Sequence, residues 1–344
     1  MAYKCLLLST KYQLDYVEID IDNRSIPIGY DFYFFNYHLV TMDWLQTKSL
    51  KKELGFVATM VLEVLPDNPF VMCSDKDFDA YCVLDPTVKS KNKKVYPFPR
   101  PLEKIDIDLR IVDNPVPVIG TFGFATKGKG FQHVVDAVNK EFSKAIVRIN
   151  IPYGDFVPNS KEYAAFLADV CKSKAKDGIE VRVTHDFMQK EELIAWCSSN
   201  TLNCFLYDRD MQGLAATTDQ AIVSGRPLSV SDNNTFRHIT SYLSPYPKFS
   251  LQDSINKSTQ IVEKMKEDWS PENFAKKFER VLEDNALVLK SRKKISGIFL
   301  LPIKKETFIN TIERKIEKYK HRINSLGWET LLKKRNSRKV EDII

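Results

Sequence analysis

The chain has 344 residues, 43% hydrophobic and 28% charged, with only 12 Gly and 16 Pro; this is enough for about two domains and excludes a disulfide-stapled miniature and a disordered or collagenous chain. The net charge of +6 is uneven, because residues 290–344 carry 16 Lys and Arg against 6 Asp and Glu, a net +10, while residues 1–289 sum to −4. A main body built around a basic nucleic-acid channel is therefore not the first reading.

No apolar run approaches the roughly 18 residues that span a bilayer. The opening MAYKCLLLST runs into charged sequence without a cleavage pattern, so the expectation is a cytoplasmic chain, peripheral to a membrane at most. The six Cys show no CxxC and no zinc-ligand spacing to the five His. They read as reduced, buried thiols, and no metal site is expected.

In chain order, Asp31 to His38 (DFYFFNYH) reads as a buried strand, Met42 to Leu54 as a helix and Phe56 to Leu65 (FVATMVLEVL) as a second strand, which makes residues 1–112 a small α/β domain. Five Pro fall between Pro97 and Pro117, and Pro density of this kind gives a stiff, extended connection. The domain boundary is expected there.

From Pro117 onward, β-rich runs alternate with stretches of helical period. PVIGTF (117–122), AIVRINI (145–151), Ile179 to Val183, Leu202 to Tyr207 and Leu228 to Val230 read as strands. The intervening helices carry Phe131, Val134, Val135, Val138 and Phe142 on one face, then Tyr163, Phe166, Leu167 and Val170 behind a Ser160 N-cap, then cover Lys190 to Ser198 and Ala215 to Ser224. Five strands separated by four helices imply right-handed crossovers and a parallel sheet covered on both faces, a Rossmann-like domain over residues 113–290. A further helix is opened by Ser270 and Pro271 at N-cap and N1. The end of the chain, 291–344, pairs the apolar SGIFLLPI with a basic helix carrying Ile312, Ile316, Tyr319 and Ile323 on one stripe. Such a helix fits an anionic membrane interface, a protein partner or the chain's own surface.

Two segments could carry chemistry. In GTFGFATKGKG (Gly120 to Gly130), between strand and helix, backbone N–H groups and the positive helix end can face a phosphate, with Lys127 and Lys129 to neutralise it. Taken alone, the same residues suit a tight turn with solvated lysines. In DRDMQGLAATTDQAIVSGRPLSVS (Asp208 to Ser231), Gly213 lets backbone approach a ligand, while Gln212, Asp219 and Gln220 stand at the ligand end of the sheet or on an ordinary helix surface. His185, Asp186, Arg237 and His238 each follow a strand and could face the same cleft, and Asp186 could instead cap the next helix.

Together and in this order, the two segments carry a resemblance. KGFQHVVDAV resembles the Lys-Gly segment that opens the C-terminal domain of retaining GT-B nucleotide-sugar glycosyltransferases, the family of sucrose and glycogen synthases, and QGLAATTDQAIVSGRPLSVS resembles their EGFGxxxxEAxxxGxPVxxS segment. The resemblance is good over residues 115–290 and faint before residue 112. It implies two Rossmann-like domains in a GT-B arrangement, here with a basic helical C-terminal extension. By the same resemblance Lys129 matches the lysine that holds the donor diphosphate, with Gly123, Lys127 and Gly130 in its loop, and Gly213 and Leu214 lie near the donor sugar. Gln212 and Gln220 fall on the family's E-x7-E pair, both amides here, with Asp219 as the neighbouring acid. The usual arginine before Lys-Gly is missing, since GFAT stands in its place. His38 is the acceptor-side candidate.

The resemblance implies transfer of a sugar from a nucleotide-activated donor to a glycan, lipid-linked or protein acceptor, with no cofactor beyond the donor substrate. Loss of the two glutamates leaves a rival reading open, a non-catalytic GT-B module that binds a nucleotide, glycan or protein partner as a scaffold.

Overall fold

The structure, a computed structural model, describes residues 12–19, 24–37, 42, 44–61, 77–102, 104, 105, 109, 112–154, 158–209 and 213–288. His38, Gln212 and the C-terminal segment with its apolar and basic runs lie outside the described residues.

Four short strands, β1 (Phe32–Asn36), β2 (Phe56–Val61), β3 (Ala80–Val83) and β4 (Val95–Pro97), pair in parallel in the order β1-β2-β3-β4. Alternate residues of β2 serve two cores. Phe56, Ala58 and Met60 face one, while Val57 and Val61 join Tyr33, Phe35 and Leu50 of helix α1 (Thr47–Glu53) in the other. Strands buried on both faces read as continuous apolar runs, which is why FVATMV is legible in the sequence.

The second sheet contains β5 (Val118–Phe122), β6 (Ala145–Asn150), β7 (Ile179–Thr184), β8 (Leu202–Phe205) and β9 (Leu228–Val230), all parallel, in the order β7-β6-β5-β8-β9. This is the doubly wound order, and it reverses between β5 and β8. Helices α2 (Phe131–Glu141) and α3 (Ser160–Ser173) cover one face. Phe131, Val134, Val135 and Val138 pack there on Ile119, Val147 and Cys204. Helices α4 (Lys190–Ser198) and α5 (Thr217–Val223) cover the other, where Ile194, Ala221 and Ile222 meet Phe205, Leu228 and Val230.

Two local expectations are corrected. The fully buried face of α3 is Ala164, Leu167, Ala168 and Cys171, and Tyr163 packs half-buried against the same core as expected, whereas Phe166 is 56% exposed; small residues let the helix sit close to the sheet and leave no room for the Phe166 ring. Its N-cap is Asn159, and the Ser160 hydroxyl instead accepts from the Gly154 amide at 2.9 Å.

Beyond β9 come α6 (Arg237–Thr240), α7 (Leu251–Lys257), α8 (Thr259–Asp268) and α9 (Pro271–Asp284). The Ser270 hydroxyl accepts from the Asn273 amide and Pro271 stands at the first turn, as the sequence indicates. The apolar stripe of α9, Phe274, Phe278, Val281 and Leu282, packs on Phe56, Ala58, Ala80 and Phe98 of the first sheet. The chain thus returns to its first sheet after building the second. Among the described residues, no helix is long and apolar enough to cross a membrane.

Candidate functional site

In an open parallel sheet the strand order reverses at one place, and the loops leaving the two strands there diverge to opposite faces, opening a crevice at their carboxyl ends. Here these loops follow β5 and β8, the two segments singled out by sequence.

The β5 loop turns at Gly123, whose φ is +150° and whose amide donates to the Asn150 carbonyl at 3.1 Å. A side chain there would meet the Lys129 ammonium at 3.2 Å. The loop ends at Gly130, the N-cap of α2 in the left-handed region at φ +67°. A Cβ at Gly130 would lie 1.8 Å from the Leu206 carbonyl oxygen. Only glycine lets the start of α2 come so close to the end of β8. No side chain caps α2, which leaves the first amides and the positive end of the helix dipole without a side-chain partner at the end of the β5 loop.

Lys129 and Lys127 separate at this point. Lys127 is exposed. The Lys129 side chain folds inward, Nζ donating to the Tyr207 hydroxyl at 2.8 Å and lying 4.5 Å from the centre of that ring. From the opposite loop Arg209 reaches over the same ring, its guanidinium carbon 5.5 Å from the centre, and donates through Nη1 to Thr126 Oγ1 at 3.3 Å. Its Nε is buried with no hydrogen-bond partner among the described residues. Burial first, and the Arg209 charge second, push the Lys129 amine down to about 7. Asp208, the nearby carboxylate, is turned away to His133 at 3.0 Å. Two cations thus converge with no described carboxylate between them. Asn233 fixes the Arg209 carbonyl at 2.6 Å and Ser231 the Tyr207 carbonyl at 2.7 Å, so the loop after β9 holds the β8 loop in place.

Arg209 is the member that sequence reasoning missed. The D-R-D after β8 looks like a solvated turn, and the arginine expected beside Lys-Gly is absent from that loop. A cation supplied from 80 residues further on has no local signal.

On the other side of the crevice, the Tyr207 hydroxyl lies 2.9 Å from Thr217 Oγ1 of α5. Burial pushes the Tyr207 phenol up to about 12, so it stays neutral. Helical geometry sets Gln220 about 60° and Asp219 about 200° round α5 from Thr217. Gln220 therefore shares the Thr217 side. Asp219 is committed elsewhere, since Arg100, which follows β4 of the first sheet, donates to it through Nε at 2.9 Å. Burial pushes the Asp219 carboxyl up to about 6 against the opposing pull of Arg100. Gly213 and Leu214 lie in the turn before α5, Leu214 buried.

Three further candidates are structural. His238 is 1% exposed, contacts Thr218 Oγ1 at 3.2 Å and stacks on Trp269; burial, then Arg100 and Arg237, push it down to about 3, so it is neutral and out of reach of a ligand. Arg237 pairs with Asp85 at 2.7 Å. His185 donates through Nδ1 to the Ile151 carbonyl at 2.9 Å and stacks on Tyr153, and α4 is capped by Gln189 with Glu192 rather than by Asp186. Among the described residues no cluster of His, Cys, Asp and Glu could hold a metal ion.

No family model matches the chain, and no curated protein matches it. Solved structures do. HepE of Anabaena, in complex with UDP and glucose, is 10% identical over 74% of this chain and 78% of its own, with a TM-score of 0.50. The lipopolysaccharide outer core galactosyltransferase WaaB in its apo form is 10% identical over 74% and 75%, also at 0.50. The N-terminal domain of Candida albicans trehalose-6-phosphate phosphatase gives 0.48 at 12% identity, this chain spanning 66% of that domain's length. At these identities the likeness is one of fold, and the class it defines is the mixed α/β, parallel-sheet architecture of the GT-B glycosyltransferases.

Proposed function

We propose that the chain is a sugar transferase that binds a nucleotide-activated donor at the β5/β8 crevice and passes its sugar to a glycan, lipid-linked or protein acceptor. The observation that carries this reading is the convergence of Lys129 and Arg209 on a glycine-floored helix N-terminus with no described carboxylate between them. Two partly buried cations with no counter-ion among the described residues suit a diphosphate, which would accept from both side chains and from the first amides of α2. The departing nucleoside diphosphate gathers negative charge as the sugar becomes oxocarbenium-like, and fixed positive groups at the phosphates favour that state over the ground state. Gln220, on the Thr217 side of α5, would contact the sugar or ribose. The GT-B fold of HepE, which binds UDP and glucose, supports the same donor class.

Calorimetric titration with nucleoside diphosphates and their sugar conjugates tests this. Replacing Lys129 or Arg209 by Ala is expected to weaken binding by about 1.5–3 kcal/mol each, the range of a charge-assisted hydrogen bond. Unchanged affinity in both variants, or no binding of any nucleotide to the parent, refutes the reading. The basic tail from Lys290 onward is proposed to dock on an anionic surface; truncation after Ser291 should abolish co-sedimentation with anionic liposomes at low salt, and an intact chain that stays in the supernatant contradicts this.

A further inference from the structure

The surroundings of the Lys129 amine hold one more consequence, which rests on the diphosphate reading of this site. From the β8 loop, Arg209 and the neutral Tyr207 hydroxyl face it; from α2 comes the positive helix end, with His133 engaged by Asp208. From its own loop Lys127 points to solvent, and from α5 Thr217 is neutral while Asp219 is turned to Arg100. Among the described residues, every charged group directed at the amine is positive.

We propose that a nucleoside diphosphate binds here together with one proton, taken from solvent onto Nζ of Lys129, so that donor and product affinity are proton-linked. In the free protein the amine has no counter-charge among the described residues and shares its pocket with Arg209, and burial with that neighbour pushes it down to about 7. A diphosphate supplies the missing negative charge and restores the ammonium form. The free amine is largely neutral above neutrality and charged below about pH 6. Affinity is therefore flat at low pH and falls as pH rises through the free-protein value, with faster release of the nucleoside diphosphate product on the alkaline side.

The test is calorimetry of the full chain with uridine diphosphate and with inorganic pyrophosphate at pH 7.5, 8.0 and 8.5, in two buffers of different ionisation enthalpy. The terminal phosphate of uridine diphosphate, with a second pKa of about 6, is ionised over this range, so its own proton does not enter; pyrophosphate, which keeps a titratable proton here, serves only to show that the phosphates suffice for binding, and the proton count is read from uridine diphosphate. The expected result is uptake of up to one proton at pH 8.0 and an affinity that weakens from pH 7.5 to pH 8.5, by up to about tenfold, the bound for one linked proton. K129R, whose guanidinium stays charged, should bind with no uptake and no pH dependence, and H133Q should keep the wild-type uptake. Equal enthalpies in the two buffers for the wild type, uptake that survives in K129R, or uptake lost in H133Q would each overturn the proposal while leaving the diphosphate site standing. The wild-type buffer comparison decides alone if K129R does not fold. Failure of the wild type to bind either ligand at any pH overturns the site itself.

Discussion

Lys129 is a residue whose placement works against the fold. Its folded pKa lies below its unfolded value, so the folded state disfavours the charged form. The penalty is full below about pH 7, where the amine is charged in both states, and it fades as pH rises toward the ordinary lysine value of about 10.4. Lys129→Met should therefore raise the melting temperature at pH 6, with a gain that shrinks by pH 9, because it removes the cation crowded against Arg209. Scanning calorimetry at the two pH values checks this; a variant less stable than the parent at pH 6 contradicts it. Which of two neighbouring lysines turns inward was not legible in KGKG, because the choice depends on Tyr207, which arrives from the next loop but several. The same holds for Asp219, which reads as a site acid in sequence and is engaged by an arginine 119 positions earlier.

At the scale of elements, the alternation from β5 to β9 was legible because each strand is an apolar run bounded by a helix of clear period. Lys190–Ser198 and Leu228–Val230 lie where the pattern puts them. Strands β3 and β4 were not, being only four and three residues long, with β4 ending inside the Pro-rich connection. Helix α9 shows the other limit of a one-dimensional reading, since its caps and stripe are plain while the sheet it covers lies almost 200 residues back. Phe274 is fully buried on Phe98, ring centres 5.0 Å apart. Phe274→Ala should cost about 3–5 kcal/mol of unfolding free energy. Denaturant melts measure it, and a loss under about 1 kcal/mol would show that this helix does not seal the first sheet.

For the whole molecule, the carboxyl ends of the two sheets are joined by two ion pairs of opposite sense. Arg100 after β4 pairs with Asp219 of α5, and Asp85 after β3 pairs with Arg237 of α6. The second is the more buried, Asp85 being 2% exposed and also held by Thr87 through its amide and hydroxyl. Arg237→Met leaves that carboxylate buried without its cation and should destabilise the chain by about 3 kcal/mol, the lower end for a broken buried pair because Thr87 remains. Equilibrium unfolding at pH 7 checks the value. These bridges hold Arg100 and Asp219 together on one side of α5 and leave the other side, with Thr217 and Gln220, to the crevice. What enters that crevice decides what the protein does. A crystal structure of the chain soaked with uridine diphosphate tests it most directly: the diphosphate should lie at the first turn of α2, with Nζ of Lys129 and the Arg209 guanidinium within about 3 Å of its oxygens, whereas a nucleotide bound away from both side chains, or none at saturating concentration, would contradict it.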